Sequence, residues 1–231
     1  MPSYGFLSSL RAAGCPEPKL EQVLRMTETL LLRRHICRER TNENEKLFAG
    51  LGEMSIAERK NPLKRLEEEY REMCPPDEKF AEEFANAKFS GGLMSRARYC
   101  LEQLELQKHG DYDELALCGS EDVHVEHIIP QKIKSRRDKQ EQGDWPEYLG
   151  NKSDALHSKH VSRIGNLTLF AGELNISASN NPYKAKQAIY KRSGLELTKA
   201  LAKDYPEFRF AQVDQRGAEM AQIALEIWPM P

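Results

Sequence analysis

The stretch DVHVEHIIP, residues 122–130, decides the fold, because apolar β-branched residues alternate in it with polar ones. This alternation is typical of a strand with one buried face, and Pro130 ends it. The stretch IGNLTLF, residues 164–170, predicts a second strand further along the chain. We therefore expect a small sheet, with polar side chains at the strand ends as the first candidates for a functional site.

Helical patterns surround the two strands on both sides. Along residues 17–40, apolar side chains recur at the helical period, with Leu20, Val23 and Leu24 opening the stripe. Further helices are predicted at 43–51, at 55–73 with a restart at Asn61-Pro62, and at 78–88, 93–108, 180–192, 195–204 and 212–228. Residues 114–117 form a third, short strand candidate. The chain is therefore expected to be mostly α-helical with a small β element.

The segment between the two strands, residues 131–160, is polar and rich in Lys, Ser and Gly. It predicts a long loop, with one helical turn near Trp145-Pro146, and loops of this length are usually functional. Its basic residues are Lys132, Lys134, Arg136, Arg137 and Lys139. Such a run either grips a phosphate backbone or is simply a solvated loop.

The charge balance places the basic surplus around these strands. Residues 122–203 carry 14 Lys and Arg against 9 Asp and Glu, a net charge of +5, although the whole chain has a net charge of −2. A local surplus of this kind is typical of a polyanion site, and it also arises by chance on a solvated face.

Composition excludes other classes of protein. No stretch approaches the ~18 consecutive apolar residues that a membrane span requires, and no signal peptide is recognisable at the N-terminus. The five cysteines are widely spaced and contain no C-x-x-C pair. We therefore expect a cytoplasmic protein with free thiols, no cysteine-based zinc site and no membrane partner.

Three features of the strand–loop–strand–helix segment could perform chemistry together. Glu126 offers a carboxylate oxygen and Asn175 an amide oxygen, which are ligands that Mg²⁺ accepts beside water and phosphate. His127, with an ordinary pKa near ~6.5, could take a proton from water. Asn166 opens the second strand. Taken singly, each of these residues also has an ordinary structural explanation. The Glu-His pair could be a surface pair, and Asn166 could be a turn residue. His124 could be a third ligand or phosphate contact, or a histidine that is hydrogen-bonded to a neighbour.

Together these motifs resemble a known family. VEHIIPQ at 125–131, GNLTL at 165–169 and Asn175 resemble the HNH (His-Me finger, ββα-metal) nuclease motif. The closer resemblance is to the C-terminal nuclease domain of GmrSD-type modification-dependent restriction and phage-defence proteins. That family carries a His-x-Glu-His-Ile-x-Pro stretch, matched by residues 124–130, and a Lys-rich helix, matched by Lys184 and Lys186.

The resemblance implies a role for each matched residue. His127 would be the general base, with His124 as a helper, and Asn166 would orient His127. Glu126 and Asn175 would hold one Mg²⁺ or Mn²⁺ ion. The residues expected to contact DNA are Lys132, Lys134, Arg136, Arg137, Lys184 and Lys186. The implied fold is a helical domain around a ββα-metal core. The helical region covers 1–113, and the nuclease core covers 114–194 with an inserted basic loop at 131–160. The C-terminal helices at 195–231 are expected to pack back on the helical region.

The implied function is a metal-dependent DNA endonuclease or nickase, the effector domain of a bacterial anti-phage restriction system. The chain has no G-x-x-x-x-G-K-[ST] stretch. We therefore expect the nucleotide-hydrolysing sensor of such a system to be a separate domain or subunit. The alternatives are a non-catalytic module that docks DNA or a partner on an HNH scaffold, and an HNH nuclease that acts on RNA.

Overall fold

The computed structural model describes residues 2–109, 123–133 and 145–231. Its backbone contacts divide the chain into two compact units, one formed by Met1–Glu83 with Trp228–Pro231 and the other by Phe84–Ile227. The predicted division at residues 113 and 194 stays a prediction, whereas this clustering places a boundary between Glu83 and Phe84. The prediction of a mostly helical chain with a small β element is confirmed.

The first unit consists of helices. They are α1 (Pro2–Ala12), α2 (Glu17–Ile36), α3 (Thr41–Leu51), α4 (Ile56–Lys60), α5 (Leu63–Met73) and α6 (Asp77–Ala85), within which the chain passes to the second unit. The apolar stripes of α1, α2, α3 and α5 meet in one core, which includes Leu10, Val23, Leu30 and Leu66. The Ser55 side chain caps α4 in a capping box with Glu58.

Two adjacent arginines of α2 are buried in this unit. Arg33 donates to Asp77 at 2.6 Å and to the Trp228 carbonyl oxygen at 2.9 Å. Arg34 donates to Glu43 at 2.6 Å and to the Met73 carbonyl oxygen at 2.8 Å. Each guanidinium therefore has a carboxylate partner, as a buried charge requires, and both residues serve the structure of this unit.

The second unit contains the sheet. Its elements are a 3₁₀ turn at Gly91–Leu93, α7 (Met94–His109), β1 (Val123–His127), α8 (Trp145–Leu149), α9 (Ser153–His160), a 3₁₀ turn at Ile164–Asn166, β2 (Leu167–Ala171), α10 (Gly172–Ala178), α11 (Tyr183–Tyr190), α12 (Glu196–Asp204) and α13 (Phe210–Ile227). β1 and β2 pair antiparallel, with Val125 opposite Leu169 and His127 opposite Leu167. Helices α7 and α12 contact β2, and α10 contacts both strands.

Two glycines allow α13 to cross the turn before β2 at very short range. A Cβ on Gly165 would lie 2.9 Å from the Gly217 nitrogen and closer still to the Val213 carbonyl oxygen. A Cβ on Gly217 would lie 2.6 Å from the Ala85 carbonyl oxygen. All of these neighbours are backbone atoms, so both positions require the absence of a side chain.

The segment 131–160 was predicted to be a long loop with one helical turn near Trp145-Pro146. The structure has α8 at that turn and a further helix, α9, which was not predicted. Trp145 and Leu149, four residues apart, are both buried and anchor α8. These short helices have too few apolar side chains to produce a clear periodic pattern, so their folding depends on contacts with distant residues. Residues 134–144 and the strand candidate at 114–117 lie outside the described residues.

Four of the five cysteines lie within the described residues. Cys15, Cys37, Cys74 and Cys100 are free and buried. Burial raises the pKa of the Cys100 thiol to about 12. Among the residues that the structure describes, no helix combines the length and the apolarity that a membrane crossing requires.

Candidate active site

The candidate site lies where β1 ends. Glu126 pairs with Thr168 and His127 with Leu167, so both residues of the acid–histidine pair are held by the ladder to β2. Successive side chains of a strand point to opposite faces. The side chains of Glu126 and His127 therefore face different surroundings, although the two residues are adjacent in sequence.

Glu126 forms a buried ion pair with Lys186 of α11. The Lys186 ammonium lies 2.5 Å from Oε1 of Glu126, and the two side chains are 1% and 12% exposed. The same ammonium donates to the His127 carbonyl oxygen at 3.0 Å. Burial raises the pKa of Glu126, and burial lowers the pKa of Lys186. Each charge opposes the shift of its partner, as expected for a pair removed from water.

The position of Lys186 corrects one prediction from the sequence. Lys186 was expected to contact DNA, but its side chain is buried and its ammonium is occupied by Glu126. Residues two apart on a helix lie on different faces, so Lys184, which is exposed, keeps the surface position. Lys132 is also exposed. Three further predicted DNA contacts lie outside the described residues: Lys134, Arg136 and Arg137.

His127 is neutral at physiological pH. The pKa of His127 is lowered to about 4, mainly by burial and in addition by the electrostatic effects of Lys186 and His157. Its Nε2 lies 3.3 Å from the side-chain nitrogen of Gln131, and with Gln131 as the donor Nε2 is the acceptor. A neutral imidazole in this position can accept a proton from water.

Asn166 fastens the chain that follows His127. Its side-chain oxygen accepts from the Ile129 N–H at 2.8 Å, and its side-chain nitrogen donates to the Ile129 carbonyl at 3.0 Å and to the Val161 carbonyl at 2.9 Å. Asn166 is 0% exposed. These bonds fix the backbone two residues beyond His127, and therefore limit where its imidazole can lie.

Arg216 holds the backbone on both sides of Asn166, and this role was not predicted from the sequence. Its guanidinium donates to the Gly165 carbonyl at 2.9 Å and to the Leu167 carbonyl at 2.7 Å, on either side of Asn166. Arg216 is buried. The signal in the sequence is weak, because an arginine 50 residues beyond the motif shows no relation to it until α13 crosses the turn.

The other predicted residues lie on neighbouring elements. Asn175 is half-buried in the middle of α10, the helix that contacts both strands. His124 is exposed on β1, two residues before Glu126 and therefore on the same face of the strand. Both residues thus lie on elements that adjoin the Glu126–His127 pair.

Two histidines of α9 have hydrogen-bond partners near the site. His157 Nε2 donates to the Pro130 carbonyl oxygen at 2.7 Å, and His157 contributes to the lowered pKa of His127. His160 is buried, with Nδ1 2.7 Å from the Leu156 carbonyl oxygen and Nε2 3.1 Å from Asp214. His157 therefore belongs to the surroundings of the site, whereas His160 belongs to the packing between α9 and α13.

The metal ligands predicted from the sequence are two oxygen donors, one carboxylate and one amide. No group of three or more His, Cys, Asp and Glu residues within 2–109, 123–133 and 145–231 could hold a metal ion. Mg²⁺, by contrast, is commonly held by one or two carboxylates together with water and substrate phosphate oxygens. Glu126 and Asn175 would offer one carboxylate and one amide oxygen of that kind, and a cation held by them stays a prediction.

The fold and the site define a mostly helical protein with a two-stranded antiparallel sheet that presents an acid–histidine pair. The family model of the GmrSD restriction endonucleases, C-terminal domain, matches residues 74–223, well over half of the chain. The chain therefore belongs to this family, and the resemblance found in the sequence is confirmed. A search of curated proteins found no match. Membership indicates a role related to restriction nucleases, which act on DNA.

Proposed function

We propose that this chain is a divalent-cation-dependent DNA endonuclease or nickase, with an HNH core formed by β1, β2 and α10. The observation that carries the proposal is the neutral His127 at the end of β1, beside Glu126 and followed by backbone that Asn166 holds through Ile129. A nuclease needs a base that is unprotonated at neutral pH and held in one position.

In this proposal each residue has one task. His127 takes the proton of the attacking water, and Asn166 positions the backbone that carries it. Glu126 and Asn175 would hold Mg²⁺ or Mn²⁺, which when bound stabilises negative charge on the phosphate and the leaving oxygen. His124, exposed on the face of Glu126, is placed to contact the substrate.

Backbone contacts would supply affinity without sequence preference. Lys132 and Lys184 are exposed, and the basic run between residues 134 and 139 follows Lys132 directly in the sequence. Lysines and arginines that neutralise phosphates bind DNA in a salt-dependent manner. We further propose that the chain works in the cytoplasm, as the effector of an anti-phage system with a separate nucleotide-hydrolysing sensor.

The test is nicking of supercoiled plasmid by the purified chain, with Mg²⁺ or Mn²⁺ and with EDTA, for the wild type and His127→Ala. We expect nicking by the wild type, none with EDTA, and none by the variant. DNA affinity, measured by fluorescence anisotropy, should be nearly the same for both proteins. A His127→Ala protein that nicks as fast as the wild type would show that the base is assigned wrongly.

One observation favours the alternative of a non-catalytic docking module. Lys186 already satisfies the charge of Glu126, so the fold does not need a cation at that carboxylate. A docking module would bind DNA but leave the plasmid intact under every metal condition. Cleavage of a labelled RNA in place of plasmid would instead support the RNA nuclease alternative.

A further inference from the structure

The carboxylate assigned to the cation is already compensated by a lysine. Glu126 and Lys186 lie 2.5 Å apart, and both are largely removed from solvent. Their summed charge is zero whether the pair is ionised or the proton has moved from the lysine to the carboxylate. Asn175 carries no charge, and a histidine such as His127 is either neutral or positive, so it adds no negative charge. The described side chains that we assign to the cation and to the base therefore provide no net negative charge.

The lysine is also fixed in place. Besides Glu126, its ammonium donates to the His127 carbonyl oxygen at 3.0 Å, so it bridges the end of β1 to α11. One turn further along α11, Tyr190 is fully buried and packs edge-on against Phe170, with ring centroids 5.2 Å apart. Because burial raises the pKa of Tyr190 well above 10, its phenol adds no negative charge either.

The Lys186 ammonium lies 2.5 Å from Oε1 of Glu126, so a divalent cation bound to that carboxylate would lie close to a buried positive charge. Like charges at short range repel strongly in a protein interior.

We propose that Lys186 makes cation binding depend on the substrate. The protein alone then binds a divalent cation weakly, and the phosphodiester supplies the negative charge that holds the cation at Glu126 and Asn175. Lys186 is thus a positioning residue that acts through Glu126, rather than the DNA contact expected from its sequence. This inference rests on the proposed nuclease function.

The first test uses the wild type and measures free Mn²⁺ by electron paramagnetic resonance. The full chain is titrated alone and with a short DNA duplex whose phosphorothioate linkages resist hydrolysis, after subtraction of Mn²⁺ bound by the duplex itself. We expect binding to be at least about tenfold tighter with the duplex, since it adds negative charge beside the site. Glu126→Gln should abolish this gain. Equal affinity with and without the duplex would overturn the inference.

The second test changes the lysine. Lys186→Met should bind Mn²⁺ without DNA about tenfold more tightly than the wild type, because a nearby positive charge has been removed. Lys186→Arg keeps the charge and should retain weak binding. Lys191→Met, at an exposed lysine directly after α11, should leave Mn²⁺ binding unchanged. Circular dichroism establishes that each variant is folded. A folded Lys186→Met protein with unchanged or weaker Mn²⁺ binding would overturn the inference, and if it does not fold, the wild-type titration decides.

The outcomes separate this inference from the function on which it rests. A wild-type chain that nicks plasmid but binds Mn²⁺ tightly without DNA would overturn the inference and leave the nuclease proposal intact. A chain that neither nicks plasmid nor binds Mn²⁺ in the presence of the duplex would overturn both.

Discussion

Replacement of Asn166 by alanine tests how the backbone beyond His127 is held. The Asn166 side chain makes one hydrogen bond to the Ile129 N–H, one to the Ile129 carbonyl and one to the Val161 carbonyl. The residue is fully buried, so water cannot replace these bonds without opening the structure. Asn166→Ala would leave the Ile129 N–H without an acceptor.

The size of the effect follows from the bonds that are lost. Each hydrogen bond contributes about 1 kcal/mol net, so the loss of all three lowers stability locally by about 3 kcal/mol. Since about 1.4 kcal/mol corresponds to a factor of ten, the segment should open on the order of 100-fold more often. Nicking should fall as well, because the imidazole of His127 would no longer be held.

Hydrogen–deuterium exchange of the full chain measures this opening directly. We expect exchange in a peptide that covers residues 127–133 to be on the order of 100-fold faster in Asn166→Ala than in the wild type. Asn175→Ala, which leaves the three bonds of Asn166 in place, is the matched control and should exchange like the wild type in this segment. Unchanged exchange in Asn166→Ala would refute the reasoning, because the side chain would then not be what holds the segment.

Three further predictions concern packing, protonation and DNA binding. Gly165→Ala should lower the free energy of unfolding by about 3 kcal/mol in urea titrations, since the added methyl meets backbone of α13, whereas Gly194→Ala, with open space around it, should change it by less than about 0.5 kcal/mol. In NMR titrations of the metal-free chain, His127 should protonate with a pKa of about 4. Because this pKa lies below the value in the unfolded chain, about 6.5, the contribution of His127 to stability is present above pH 6.5 and is lost as the pH falls toward 4. A midpoint near 6.5 would contradict the burial argument. Neutralising Lys132, Lys134, Arg136 and Arg137 together should reduce the slope of log affinity against log salt by up to about 3–4, and an unchanged slope would assign these residues to solvent.

The helices and strands were largely predictable because their signals are local. The alternation in residues 122–130 and the apolar run at 164–170 gave the positions of β1 and β2 to within a few residues. An apolar stripe at the helical period identifies a helix whatever that helix packs against. The helices between residues 17 and 109 could therefore be predicted without knowing their packing partners. The helical turn predicted near Trp145-Pro146 corresponds to α8, whereas α9 was missed, since its stability depends on distant contacts rather than on its own pattern.

The partners of charged residues could not be predicted from the sequence for the same reason. A lysine two positions from another lysine is typical of a solvated helix, and only the tertiary structure places Lys186 beside Glu126, 60 residues earlier. Likewise, only the tertiary structure, in which α13 crosses the chain at Gly165, shows that Arg216 donates to the Gly165 carbonyl. In both cases the informative neighbour is remote in the chain, and no spacing rule relates the two.

The structure separates the residues that carry the family signature into two groups. Gly165 and Asn166 are required by packing and backbone hydrogen bonds, and their presence would be explained even in a protein that performs no chemistry. The packing of the fold does not similarly require a neutral histidine beside Glu126 at the end of β1. The family signature therefore contains both residues that hold the fold and residues that the catalytic proposal uses. For this reason His127→Ala, which leaves the scaffold intact, tests catalysis, whereas Gly165→Ala and Asn166→Ala test the scaffold that positions it.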